Sequence, residues 1–111
     1  MSKIIAIDFD GTITENEQFP KKAAIRNDAI KYIPKLYEKG YILVLWTARY
    51  GEYYRDCIYD LKLCGLFNYF NFNYFKCGET GKLIADFYID DRSCLGEINW
   101  KKIYNYIIKN I

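Results

Sequence analysis

Apolar and polar positions along the chain change their period from one segment to the next. Continuous apolar runs predict three short β-strands buried on both faces, over residues 3–9, 41–46 and 84–89. Apolar side chains at helical spacing predict helices over about residues 27–39, 52–64 and 100–111. Strands that alternate with helices indicate parallel β-α-β units with right-handed crossovers. The predicted fold class is therefore α/β with a small parallel sheet.

Local signals refine the ends of these elements. Asn27 is a typical helix N-cap and Gly40 a typical stop, whereas Pro34 predicts a kink or a loosened turn in the same helix. The aromatic segment 66–75 predicts a short strand with its loop, and packing is favoured there over stacking on a substrate. About fifteen residues separate Thr12 from the first helix, which suffices for a flap but not for a folded cap domain.

Length, charge and cysteine usage narrow the class of protein. A chain of 111 residues predicts one domain over residues 1–111, and a net charge of +2 is too small to indicate a nucleic-acid or membrane surface. No apolar run approaches the length of a membrane span or a signal-peptide core, so we expect a cytoplasmic protein. The four cysteines form no CxxC pair and histidine is absent, which predicts reduced thiols rather than a zinc site and excludes histidine-based catalysis.

Polar residues follow each predicted strand. Asp8 and Asp10 end the first strand, Thr47 ends the second, and Asp90 and Asp91 end the last. Because ligands bind at the carboxyl ends of the strands in open α/β sheets, we expect these side chains to converge at one edge. Each of these residues also has a purely structural interpretation. Asp-Gly is a common turn, a lone Thr often finishes a strand, and an acidic pair often lies in a solvated loop.

A cation is the simplest way to hold two acidic pairs close together, because adjacent carboxylates repel one another. Asp8 also lies at the end of an apolar run, where a buried carboxylate is costly unless it is paired or bound to a metal. An all-oxygen ligand set selects a hard ion, and phosphate chemistry favours Mg²⁺ over Ca²⁺. Lys82 precedes the last strand and is able to reach the same edge, although a lone lysine is usually solvated.

Four segments, taken in order, resemble the four motifs of the haloacid dehalogenase (HAD) superfamily of phosphatases: DFDGT, LWTAR, Lys82 and YIDDR. The resemblance spans essentially the whole chain. It is strongest to small, capless bacterial and phage members that carry an ADxYIDDR segment, which covers residues 85–92 here. It implies a Rossmann-like, HAD-like three-layer sandwich without a cap domain. It also implies a Mg²⁺-dependent phosphohydrolase that forms an aspartyl-phosphate.

The resemblance assigns a role to each motif. Asp8 would be the nucleophile and a metal ligand, and Asp10 would be the general acid–base with a main-chain carbonyl on the metal. Thr47 would bind the transferring phosphoryl group and Lys82 would neutralise its charge. The implied metal ligands are Asp8, Asp10, Asp90 and Asp91, and the implied substrate-binding residues are Gly11, Thr12, Thr47, Ala48, Arg49 and Lys82.

A capless site would be open, so specificity would come from a partner or from surface residues 15–22, 49–54, 67–75 and Arg92. The expected partner is a phosphorylated substrate, with no membrane involved. A narrower alternative is a 3′-phosphorylated nucleic-acid end, which the weak positive charge does not favour. A third is a phospho-acceptor or interaction module without turnover, like a two-component receiver domain. It ranks low because Lys82 precedes the last strand, whereas the receiver lysine follows it.

Overall fold

The computed structural model describes residues 3–15, 23–75, 85–90 and 98–110, and these residues form three strands and three α-helices. The strands are β1 (Ile4–Ile7), β2 (Ile42–Leu45) and β3 (Phe87–Ile89). The helices are α1 (Asn27–Glu38), α2 (Gly51–Cys64) and α3 (Trp100–Lys109). Two short 3₁₀ helices, Phe67–Tyr69 and Phe72–Phe75, follow α2.

The three strands form a parallel sheet in the order β2-β1-β3. Ile7 of the central strand lies opposite Leu45 on one side and Ile89 on the other. Ile5 and Ile7 are completely buried, as expected for a strand that is paired along both edges. The predicted α/β class with a small parallel sheet is therefore confirmed.

One hydrophobic core joins the sheet to all three helices. It contains alternate strand residues, which share one face of the sheet: Ile5, Ile7, Leu43, Leu45 and Ile89. The helices add buried side chains to the same core: Ala29, Ile33, Leu36, Cys57, Leu61, Trp100 and Ile107. Ala6 and Val44 point to the opposite face and are buried outside this cluster. The predicted three-layer sandwich requires helices on both faces of the sheet. The three-layer part of the predicted fold class stays a prediction.

One boundary prediction for α1 needs correction. Asn27 is the first helical residue rather than the N-cap, which is Arg26. Arg26 stays extended because its N–H donates to the carbonyl of Ile13 (2.8 Å). Pro34 lies inside the helix, which nevertheless continues from Asn27 to Glu38. Gly40, with a φ of 94°, follows the helix as predicted.

The aromatic segment after α2 forms 3₁₀ turns rather than the predicted strand. Phe70 makes a single parallel bridge to Leu43, so the sheet pattern extends by one residue only. Phe67 stacks on Phe72 with ring centroids 4.9 Å apart, and Phe70 is buried in the core. These side chains are used for packing, which was the favoured interpretation of the segment. Within the described ranges, no helix combines the length and apolar character that crossing a membrane requires.

Candidate functional site

The carboxyl edge of the sheet brings together the residues that follow β1, β2 and β3. The N–H of Asp8 donates to the carbonyl of Ile89 (2.9 Å), and the N–H of Trp46 donates to the carbonyl of Ile7 (2.8 Å). Main-chain pairing therefore continues beyond the strands on both sides of β1. The register of Ile7 with Leu45 and Ile89, extended by one residue, sets Asp8 between Trp46 and Asp90 at the end of the central strand.

A tight loop follows Asp8. The carbonyl of Phe9 accepts hydrogen bonds from the N–H groups of Thr12 (3.3 Å), Ile13 (3.0 Å) and Thr14 (3.1 Å). Gly11 has a φ of 75°, which favours glycine, and its N–H donates to Oγ1 of Thr14 (3.0 Å). Thr12 is fully buried, its N–H donates to the carbonyl of Phe9, and its own carbonyl accepts a hydrogen bond from Nε1 of Trp100 (2.9 Å). The substrate role predicted for Gly11 and Thr12 stays a prediction.

The chain leaves this loop through the base of a hairpin. Thr14 forms an antiparallel bridge with Ile25, and the N–H of Glu15 donates to the carbonyl of Ala24 (2.8 Å). The predicted flap therefore begins as a paired hairpin. Its tip, residues 16–22, lies outside the described residues.

Residues at and just before the start of α3 bind the loop after β1 and Arg26, which follows the hairpin. Nε1 of the buried Trp100 donates to the carbonyl of Thr12 (2.9 Å). Arg26 binds both carboxylate oxygens of Asp28 (3.0 and 3.2 Å) and donates to the carbonyl of Ile98 (2.9 Å). Burial raises the pKa of Asp28, but hydrogen bonds from Arg26 and the N–H of Trp100, with the charge of Arg26, lower it overall.

Asp10 is paired with Arg49, an arrangement that the sequence did not predict. Nε of Arg49 donates to Oδ2 of Asp10 (2.8 Å) and Nη2 donates to Oδ1, so the pair is bidentate. The guanidinium also donates to the carbonyl of Tyr53 (3.1 Å) and lies 4.9 Å from the ring centroid of Phe9. Burial lowers the pKa of Arg49, but the hydrogen bonds and charge of Asp10 raise it overall. Arg49 therefore stays protonated.

Thr47 is connected to the same arginine. Its Oγ1 accepts a hydrogen bond from the N–H of Arg49 (3.2 Å), which closes a turn between β2 and α2. Thr47 is half-buried and Ala48 is exposed. The hydroxyl and the N–H that the resemblance assigns to phosphate binding therefore lie at an accessible sheet edge.

A cavity of about 220 Å³ borders this arrangement. Its walls come from the loop after β1, the base of the hairpin and α2, and they include Phe9, Thr14, Ala23, Arg49, Tyr53 and Tyr59. Asp56 and Asp60 of α2 line the same space. The predicted specificity region 49–54 thus contributes Arg49 and Tyr53 to a real concavity.

The cysteines near the site are thiols. Cys57 is completely buried in α2, and both Cys57 and Cys64 are free, as predicted. Burial raises the pKa of Cys57 to about 12; the charge of Arg49 opposes this shift, and the charges of Asp10, Asp60 and Asp8 add to it. The thiolate that nucleophilic chemistry requires is therefore suppressed at neutral pH. Cys77 and Cys94 lie outside the described residues.

Two predicted site residues, Lys82 and Asp91, lie outside the described residues. In the part of the chain that the structure describes, no group of three acidic, cysteine or histidine side chains is close enough to hold a metal ion. Among the described site residues, hydrogen bonds join Arg49 to Asp10 and to Thr47, and the strand register brings Asp8 and Asp90 to the same edge of the sheet.

A solved structure of a conserved protein from Bacteroides thetaiotaomicron is similar to this chain, with a TM-score of 0.84. The two share 32% sequence identity, and the match covers 100% of this chain and 93% of that one. The chain belongs to the family of this conserved bacterial protein. The match spans the residues of the sheet edge described above. No protein-family model and no curated protein matches the chain.

Proposed function

We propose that this protein is a Mg²⁺-dependent phosphohydrolase of the HAD superfamily, with a capless, Rossmann-like three-layer fold. The observation that carries the proposal is the position of Asp8, which lies between the strand ends that bear Thr47 and Asp90. The turn that follows Asp8 adds a second carboxylate, Asp10. A nucleophile, a hydroxyl and two further carboxylates at one sheet edge are the groups that phosphoryl transfer through an aspartyl-phosphate needs.

Each of these side chains has a distinct task in the proposed reaction. A carboxylate oxygen of Asp8 attacks phosphorus, the bond to the leaving oxygen breaks, and a proton from Asp10 passes to that oxygen. Asp10 then takes a proton from water as the water oxygen attacks the acyl phosphate, which releases inorganic phosphate and restores Asp8. The hydroxyl of Thr47 and the N–H of Ala48 would bind the phosphoryl oxygens.

The donor set fits magnesium. Asp8 and Asp90 offer carboxylate oxygens and Asp10 offers a main-chain carbonyl, and oxygen ligands are what this ion prefers. Bound Mg²⁺ would offset the repulsion between the anionic nucleophile and the anionic phosphoryl group. The proposal also assigns Asp91 to this ligand set and Lys82 to the phosphoryl group.

The test is release of phosphate from an aryl phosphate with and without Mg²⁺. We expect activity in the wild type, loss after chelation, recovery when Mg²⁺ is restored, and loss by at least about a thousandfold in Asp8→Asn. Glu38→Gln is the matched control, since it removes one negative charge from an exposed position on α1. Full activity in Asp8→Asn would show that the nucleophile is assigned wrongly. A phosphorylated Asp8 that persists for minutes without turnover would favour the phospho-acceptor alternative.

A further inference from the structure

We propose that Arg49 is a positioning residue for Asp10, so that it acts on the leaving group through that carboxylate and not by binding phosphate itself. The inference rests on the proposed function, in which Asp10 is the general acid–base. It departs from the role implied by the resemblance, which makes Arg49 one of the substrate-binding residues.

The geometry of the pair is the first argument. Nε and Nη2 of Arg49 each meet a different oxygen of Asp10, so the guanidinium fixes both the position and the plane of the carboxyl group. A carboxylate has about four acceptor positions, and the fork occupies one on each oxygen. Within the described ranges, Arg49 takes one position on each oxygen, and the second position on each is the one proposed for proton exchange with the leaving group or with water. A general acid must be held to within a fraction of an ångström to be effective, and a fork supplies that constraint.

The anchoring of Arg49 is the second argument. Its side chain is only 10% exposed, and its third nitrogen donates to the carbonyl of Tyr53 at the start of α2 (3.1 Å). The ring of Phe9 covers the guanidinium at 4.9 Å. Phe9 lies next to Asp10 in the chain, so the loop after β1 holds both members of the pair. An arginine fixed on these sides is suited to orient a neighbour.

The cavity is the third argument. Arg49 and Phe9 line the space of about 220 Å³ that extends along α2 past Tyr53 and Tyr59. Arg49 lines this space, whereas Asp10 is not among its lining residues. An alcohol group in the cavity would therefore contact the guanidinium, which is bonded to both oxygens of Asp10.

The experiment compares esters of increasing leaving-group basicity: p-nitrophenyl phosphate, phenyl phosphate and an alkyl phosphate. We use kcat/KM, which reports steps only up to the first irreversible one, the release of the alcohol. A good leaving group needs little protonation, whereas an alkoxide needs it strongly. We expect Arg49→Gln to lower kcat/KM on the order of a hundredfold for the alkyl ester and about tenfold or less for p-nitrophenyl phosphate. Arg49→Lys keeps the charge but loses the fork, so an intermediate loss with the same trend is expected.

A double-mutant cycle tests whether Arg49 acts through Asp10. Adding Arg49→Gln to Asp10→Asn should change kcat/KM for the alkyl ester less than about twofold, because the group that Arg49 positions is already lost. Arg55→Gln is the control, because it removes an exposed arginine from α2, the helix that follows Arg49. Thermal unfolding of every variant separates a kinetic effect from failure to fold.

The outcomes distinguish a failure of the role inferred for Arg49 from a failure of the proposed phosphohydrolase function. Equal losses across the three esters, with effects of Arg49→Gln and Asp10→Asn that multiply, would mean that Arg49 binds the phosphoryl group directly, and would overturn this inference alone. A wild-type chain that hydrolyses none of the esters in the presence of Mg²⁺ would overturn the proposed function and this inference with it.

Discussion

Arg26 with Asp28 and Arg49 with Asp10 form two forked arginine–carboxylate pairs within the described residues. The first pair joins neighbours that are two residues apart in the chain, and the second joins residues 39 apart. The arginine is more exposed in the first pair (20%) than in the second (10%). The bonding chemistry is the same, but the surroundings differ.

The surroundings decide what each pair does. Arg26 also donates to the carbonyl of Ile98, and Asp28 also accepts from the N–H of Trp100 (3.2 Å), so this pair connects α1 to the start of α3. The further hydrogen bonds of the Arg26–Asp28 pair therefore go to main-chain groups of Ile98 and Trp100. Arg49, by contrast, borders a cavity, and its partner Asp10 lies two residues after the candidate nucleophile. We therefore expect the first pair to contribute to stability and the second to catalysis, and three measurements test that contrast.

The largest effect is expected from Asp10→Asn. Loss of the general acid–base should lower kcat for an alkyl phosphate by roughly 10²- to 10⁴-fold. The free energy of unfolding should change by less than about 1 kcal/mol, because loss of the ion pair is offset by removal of one negative charge two residues from Asp8. Steady-state kinetics and urea unfolding of the same preparation measure both quantities. A variant that unfolds easily but remains active would reverse the roles assigned to the two pairs.

Asp28→Asn should show the opposite pattern. We expect a loss of about 1 kcal/mol in the free energy of unfolding at pH 7, since the side chain is partly exposed and solvent weakens the pair, while kcat stays within about twofold of the wild type. The folded protein holds the pKa of Asp28 below its ordinary value of 3.8. The stabilisation is therefore present above about pH 4 and is lost as the pH falls through the lowered pKa.

The pH dependence provides an internal control for Asp28→Asn. Unfolding of the wild type and the variant by urea at a series of pH values should show a difference that is constant from pH 7 to about pH 5 and shrinks below about pH 4. A difference that persists unchanged in acid would mean that the amide costs stability by a route other than the lost charge.

The smallest effect is expected at Glu15, which meets the same Arg26 at 3.8 Å and is 59% exposed. A single contact at this distance between a mobile side chain and an arginine contributes little in water. Glu15→Gln should change the free energy of unfolding by less than about 0.5 kcal/mol, which urea unfolding can resolve against Asp28→Asn. An effect as large as that of Asp28→Asn would show that charge near Arg26, rather than the forked geometry, carries the stabilisation.

Much of the architecture could be predicted from local patterns. The apolar runs placed β1, β2 and β3 correctly, and the helical period placed α2 and α3 to within a few residues. The strand ends predicted that Asp8, Thr47 and Asp90 would meet at one edge, because parallel strands must align their carboxyl ends. The errors lie where long-range contacts decide the conformation. Arg26 became the N-cap because Ile13 holds it, and the aromatic segment folded as 3₁₀ turns that pack onto the core instead of pairing as a strand.

The amino-acid sequence by itself determined where the three strands lie, and with them that Asp8, Thr47 and Asp90 follow strand ends, since the apolar character of each strand is encoded locally. Only the tertiary structure decided how those residues are held. The Asp10–Arg49 fork spans 39 residues of chain, and the bond from Trp100 to the carbonyl of Thr12 spans 88. Neither has a local signature, because a hydrogen bond between distant residues depends on how the sheet and helices bring their backbones together. Periodicity specifies the elements, and packing specifies the partners.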